Sequence, residues 1–217
     1  FTLAEGRSAV TVASIPGLLQ RTIPPETLRR AAFEIDAGGS YPIEDVEAAL
    51  LRCGYTRTEQ VEGAGQFARR GGILDFFSPS EHEPVRIEFW GDDVDSMGHF
   101  DVASQRRTEP LERCVILPAA ETLPEMTAGG RDALCREIES FAEKYGRRRT
   151  SENAAALCAT LRADADRLRG AALISDADRY LPVIYPMASA ADYIPEDALI
   201  IFDQPGRCGE RARDYTK

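Results

Sequence analysis

Val85-Arg86-Ile87-Glu88-Phe89-Trp90 is the stretch on which the reading of this chain turns. Its apolar and polar residues alternate with a period of two, the pattern of a half-buried β-strand. Successive strand side chains point to opposite faces, so Val85, Ile87 and Phe89 share one face and Arg86, Glu88 and Trp90 the other. The first face belongs to a core. The second carries two charges and the single Trp of the chain. Trp and Arg are over-represented among residues that dominate binding energy. A plainer reading lets Trp90 cover the sheet and pairs Arg86 with Glu88 or a neighbouring carboxylate, and exposed pairs of that kind are common and weak. The strand pattern alone favours the plainer reading.

Working outward, Ile73-Leu74-Asp75-Phe76-Phe77 is the natural partner strand, reached through the turn-rich residues 78–84. In the simplest register Phe77 lies opposite Val85 and Trp90 opposite Gly72, with Arg70 one same-face step further. That register gathers Arg70, Arg86 and Trp90 beside Glu88, unless a bulge at Gly71-Gly72 shifts it. Residues 33–35, 67–70, 94–100 and 115–117 supply further strand signals, with turns at Ser78-Pro79-Ser80 and Gly91-Asp92. A helix opens at Pro42, places Ile43, Val46, Leu50 and Cys53 on one face and stops at Gly54. Together these predict a small antiparallel α+β domain over residues 33–118.

The flanks read differently. Residues 10–13 give a short strand signal, Pro16 opens a brief helix ending near Gln20, and Pro24-Pro25 interrupts the chain. After Pro118, helices are predicted over 132–145 and 151–168, joined across Gly146 and the run Arg147-Arg148-Arg149. Apolar residues 171–174 and 199–202 are expected to be buried strands. The expected division is therefore 1–32, 33–118 and 119–217. The first residue is Phe1 and no stop signal precedes Lys217, so the chain is expected to be a piece of something longer.

A net charge of −10 argues against a surface that grips phosphate backbones indiscriminately. The five cysteines are widely spaced, and only two histidines accompany them. That composition predicts reduced thiols in a cytoplasmic protein and no metal site. No apolar run is long enough to span a bilayer, so no membrane partner is expected. The carboxylates Asp92, Asp93, Asp95 and Asp101 lack an accompanying lysine or histidine in a catalytic arrangement, and read as solvated turns. No catalytic residue is assigned.

The run Gly65-Gln66-Phe67-Ala68-Arg69-Arg70-Gly71-Gly72-Ile73-Leu74-Asp75-Phe76-Phe77 resembles the UvrA-binding domain that transcription-repair coupling factors (Mfd) share with UvrB. Glu83-Pro84 ahead of the Val85 strand, Gly91-Asp92 after it, Phe100-Asp101, Ser104-Gln105-Arg106 and Ile116-Leu117-Pro118-Ala119 continue the likeness. It covers nearly the whole chain and is most specific from 33 to 118. The resemblance implies docking onto UvrA through two arginines and an aromatic residue, which fall on Arg70, Arg86 and Trp90, with Glu88 beside them. The aromatic is more usually Phe in coupling factors, so Trp90 keeps the apolar contact and alters its fit.

Residues 192–203 resemble the UvrB stretch leading to an Asp-Glu-x-His ATPase motif, in which the acids hold magnesium and assist the attacking water. Here the sequence is Asp203-Gln204-Pro205-Gly206, and no glycine-lysine pair of a phosphate loop occurs. The resemblance thus implies a degenerate P-loop-NTPase-like lobe of mixed α/β type, interrupted by the UvrA-binding domain and binding no cofactor itself. The amino-terminal region of a coupling factor fits this description better than UvrB. Such a protein is an ATP- and magnesium-dependent DNA translocase that displaces stalled RNA polymerase and calls in nucleotide-excision repair. RNA polymerase and double-stranded DNA are then expected partners of regions outside this chain. The alternative is a fragment of a UvrB-type damage-recognition subunit, holding DNA through Arg147 to Arg149, Arg162, Arg167 and Arg169.

Overall fold

The computed structural model describes residues 3, 10–170, 174 and 177–215. In chain order the elements are α1 (Ile15–Leu19), α2 (Pro25–Ala31), β1 (Phe33–Asp36), α3 (Ile43–Arg52), β2 (Thr56–Arg57) and β3 (Gln66–Arg70). There follow β4 (Ile73–Phe76), β5 (Val85–Trp90), β6 (Asp93–Phe100), β7 (Arg107–Pro110) and β8 (Arg113–Ile116). Helices α4 (Gly130–Arg148), α5 (Glu152–Arg169), α6 (Leu181–Ile184) and α7 (Pro205–Tyr215) complete the chain. Two compact units result, one of residues 26–121 and one of residues 1–25 with 122–217.

In the unit 26–121, α3 covers one face of a six-stranded sheet of order β2-β3-β4-β5-β6-β7. Helix α3 forms because Ile43, Val46, Ala49 and Leu50 recur at helical spacing and are buried together. Acidic Glu44 and Asp45 sit in its first turn, where the helix dipole favours them. Its apolar stripe meets Phe67, Leu74, Phe76, Val85, Ile87, Phe89 and Met97 from the sheet. Burial of each such large side chain contributes about 1.5–3 kcal/mol. Arg69, on the same side, reaches Glu44 and Glu47 at 2.8 and 3.0 Å.

The sheet is antiparallel except for β2, which pairs parallel with β3. Strands β2 and β7 carry little apolar alternation and are additions to the sequence reading. Strand β1 pairs with β8 in a separate two-stranded sheet. Gly71, at φ 63°, and Gly72 make a two-residue hairpin turn between β3 and β4, not a bulge. Irregularities lie instead between Glu88 and Phe89, where β5 meets β6, and between Gly98 and Phe100, where β6 meets β7.

One register expectation is corrected. Val85 lies opposite Phe76, not Phe77, so Trp90 is one step beyond Gly72. The reason is core packing. Phe76 points to the α3 side, while Phe77 turns to the other face and packs against Val61, Ala68 and Phe100.

At Gly98 in β6, an added Cβ would stand 2.5 Å from the Glu109 carbonyl oxygen, a backbone atom of β7. Gly98→Ala is therefore expected to push β7 off the sheet edge and cost about 1–3 kcal/mol. A urea melt of the variant measures this; an unchanged midpoint would show that β7 yields freely.

In the other unit, α4 and α5 form an antiparallel pair joined over residues 149–151. Leu134, Cys135, Ile138 and Ala142 face Ala154, Cys158, Leu161, Ala165 and Leu168, all buried. Cys135 Sγ donates to the Ala165 carbonyl at 3.5 Å and Cys158 Sγ to that of Ala142 at 3.2 Å. Ser151 caps α5 by accepting from the Ala154 N–H. Gly146, Arg147 and Arg148 belong to α4, so the predicted linker is shorter than expected: charged residues propagate a helix readily on its solvent side. Buried Asp164 accepts the Tyr180 hydroxyl at 2.6 Å.

Other expectations for the flanks are revised. Residues 10–13 are exposed and form no strand, and Pro25 opens α2 rather than breaking the chain, since proline suits a first helical turn. Residues 199–202 are exposed and form no strand, because no other strand among the described residues lies beside them. The predicted strand 171–174 falls on residues 171–173, outside the described residues, and Ile174 has no regular structure. The described residues of this unit contain helices and one isolated bridge, Arg21 to Ser189, and no strand.

All five cysteines are free, and four are buried. Burial pushes the Cys53 thiol up to about 11 and that of Cys114 up to about 12. A maleimide at pH 8 is therefore expected to label Cys208 alone in the folded chain and the other four only after unfolding. Mass spectrometry of labelled peptides checks this, and rapid labelling of Cys53 or Cys114 would contradict it.

Candidate functional site

The site lies on the face of the β3–β4–β5 strands turned away from α3. Backbone parity places Asp75, Arg86, Glu88 and Trp90 there, and cross-strand pairing sets them in rows. Ala68, Asp75, Arg86 and Gly98 form one row; Arg70, Ile73, Glu88 and Ser96 form the next. Trp90 ends the strand beyond them, 84% exposed.

Asp75 is the hub. Its side chain is only 2% exposed. Arg86 Nε donates to its Oδ1 at 2.7 Å and Arg86 Nη2 to its Oδ2 at 2.9 Å, a forked pair. Arg70 Nη2 donates to the same Oδ2 at 2.9 Å. A carboxylate so far from water would be strongly unfavourable without these donors.

The two arginines differ in kind. Arg86 is 15% exposed at its side chain and Arg70 is 48% exposed. Arg86 also donates to the Gln105 carbonyl from Nη1 and to Gln105 Oε1 from Nη2, both at 3.2 Å. Its guanidinium carbon stands 4.5 Å from the centre of the buried Phe100 ring, a cation–π geometry. The Asp75 hydrogen bonds raise its already high pKa against the opposing effect of burial. Gln105 holds a left-handed backbone, φ 59°, steadied by those two bonds and by donation from its Nε2 to the Val102 carbonyl. Among the described residues the Arg70 side chain makes one hydrogen bond, to Asp75.

Glu88 is the weaker member. Ser96 donates to it at 3.1 Å and Arg107 pairs with it at 3.2 Å, both on open surface. Such a pair is worth little in water. The face thus presents an oriented arginine and an uncovered indole, flanked by a neutralised Glu88–Arg107 pair.

Of the sequence-predicted residues, Arg70, Arg86, Glu88 and Trp90 therefore share one face, though in a register one step removed. Asp203 and Gln204 lie in the other unit, both exposed, at the start of α7. Gln204 has φ 55° and its Oε1 accepts from Arg207. Among the described residues no group of three or more His, Cys, Asp or Glu is placed to hold a metal ion. No helix among them is long and apolar enough to cross a membrane. Among the arginines of α4 and α5, Arg147 pairs with Glu143, Arg167 with Asp164, and Arg169 with Glu139 and Asp166.

Sequence reasoning missed Asp75, Gln105 and Phe100. Asp75 had a usable signal, a carboxylate inside an apolar strand, which requires cationic partners if the strand is buried. Gln105 had none, because its contact with Arg86 spans 19 residues.

Residues 33–121 match the family model of the UvrB interaction domain. Over 99% of its length the chain is 28% identical to the transcription-repair-coupling factor of Bacillus subtilis, and it spans 18% of that protein. It is 32% identical over 56% of its length to the transcription-repair-coupling factor of Escherichia coli, covering 10% of that protein. It is also 30% identical over 65% of its length to UvrABC system protein B of Thermotoga petrophila, covering 20% of it. The chain is thus similar over nearly all its length to the Bacillus subtilis coupling factor and over about half to that of Escherichia coli, and spans a fifth or less of these relatives.

Proposed function

We propose that this chain recruits UvrA through the outward face of β3, β4 and β5, within the amino-terminal region of a transcription-repair coupling factor. The observation that carries the reading is Arg70 and Trp90 exposed on one sheet face of a domain that matches the UvrB interaction domain, with Arg70 held by the Asp75 carboxylate that Arg86 forks onto. Arg70 and Arg86 supply charge-assisted hydrogen bonds, Trp90 supplies apolar contact, and Glu88 borders the patch. Coverage favours a coupling factor over a UvrB-type damage-recognition subunit: the alignments with the coupling factors of Bacillus subtilis, Mycobacterium bovis and Haemophilus influenzae run over 93% to 99% of the chain, that with the Thermotoga petrophila UvrB protein over 65%.

The parent protein would be an ATP-dependent DNA translocase that displaces stalled RNA polymerase in the cytoplasm and couples transcription to excision repair. Its ATP and magnesium would be bound by other regions. The present chain would comprise the UvrA-binding domain at 33–118, set within a degenerate P-loop-like lobe at 1–32 and 119–217. Supporting this are Gln204, where a working motor needs an acid, and the apolar run 199–202, which has the composition of a strand from a larger sheet.

A pull-down of UvrA with the wild-type chain and with Arg70→Ala/Arg86→Ala tests the docking reading. The variant is expected to lose UvrA; equal capture would sink the site. A phosphate-release assay with DNA tests the second half, with no ATP turnover expected from the chain alone.

A further inference from the structure

We infer that Asp75 is the positioning residue of the docking face, presenting Arg70 to the partner in one orientation. This rests on the UvrA-docking reading and adds to it a residue and a division of labour. Asp75 is buried, yet its Oδ2 accepts from a partly buried and an exposed arginine at the same distance, 2.9 Å. Arg86 is braced on its other side by Gln105 and beneath by Phe100. The carboxylate cannot follow Arg70; Arg70 must follow the carboxylate. One Nη2 hydrogen of Arg70 is committed, and the rest of its fork stands toward solvent in a set direction. A long side chain held in advance loses less freedom on binding than a loose one, and the gain appears as affinity.

The charges define the partner surface. Asp75, Arg70 and Arg86 sum to a single positive charge, and Glu88 with Arg107 sums to none. The face therefore fits one carboxylate set beside an apolar patch that receives Trp90. Asparagine at position 75 would turn an N–H toward a guanidinium, so the clamp needs the acid itself.

The test is a double-mutant cycle on UvrA affinity with wild type, Asp75→Asn, Arg70→Ala and the double variant. Asp75→Asn is expected to weaken binding about tenfold when Arg70 is present, and less than about threefold when it is absent. Equal losses in both backgrounds would overturn the inference, since a merely structural Asp75 acts without regard to Arg70. A second measurement needs neither UvrA nor a stable variant: ¹⁵N relaxation of arginine Nε in the free wild-type chain. Arg70 is expected to be more ordered than exposed Arg148, and equal mobility would overturn the inference. Absence of wild-type binding to UvrA with an ordered Arg70 would instead sink the docking reading and leave the clamp standing.

Discussion

Arg86→Ala is expected to destabilise the unit 26–121 by about 2–4 kcal/mol, the largest folding effect of any substitution on the candidate face. The change removes both arms of the fork that satisfies Asp75, a side chain 2% exposed. It also frees the Gln105 carbonyl and side-chain amide oxygen, leaving the left-handed residue with its bonds to the Val102 and Asp101 carbonyls. Arg70 remains as one donor, which keeps the loss below that of a wholly orphaned buried charge. Arg70→Ala, by contrast, removes one bond from a half-exposed side chain and is expected to cost about 1 kcal/mol or less. Urea melts of the two variants measure the difference, and Asp75→Ala/Arg86→Ala is expected to recover at least half of the Arg86→Ala loss. An Arg86→Ala variant as stable as wild type would show that the fork is incidental. A practical consequence follows for binding data: lost UvrA capture by Arg86→Ala has meaning only beside a melt.

Trp90→Ala is expected to leave the melt unchanged and to weaken UvrA binding by about 2 kcal/mol or more, roughly thirtyfold. At 84% exposure the indole contributes little to the core, so its removal exposes nothing that was covered. A large aromatic left uncovered on a strand end, on the same face as an oriented arginine, is the kind of anchor on which binding energy concentrates. Trp90→Phe is expected to restore most of the affinity, since the apolar contact survives. Calorimetric titration with UvrA measures both, and wild-type affinity in Trp90→Ala would remove the indole from the site.

Which residues share a face was legible in the sequence, because strand parity is a local property of the backbone. Val85, Ile87 and Phe89 went inward and Arg86, Glu88 and Trp90 outward for the reason that consecutive side chains must alternate. Helix α3 was equally legible, its apolar spacing and its stop at Gly54 being written within one segment. Its positive φ of 83° matches the role of a terminal glycine.

Register was not local. Whether Phe76 or Phe77 meets Val85 depends on which ring fits beneath α3, a question settled by the summed packing of several strands. Residues 199–202 show the opposite failure: an apolar composition promised burial, yet burial requires neighbours that composition does not supply. The sequence by itself determined a small sheet with one helix, its inward and outward residues, and the arginines and indole at its surface. Tertiary structure alone decided that Asp75 on β4 binds the two arginines together, through donors on β3 and β5, with Gln105 of a loop accepting from Arg86. A carboxylate can be read from one position, but its solvation depends on every chain segment that reaches it.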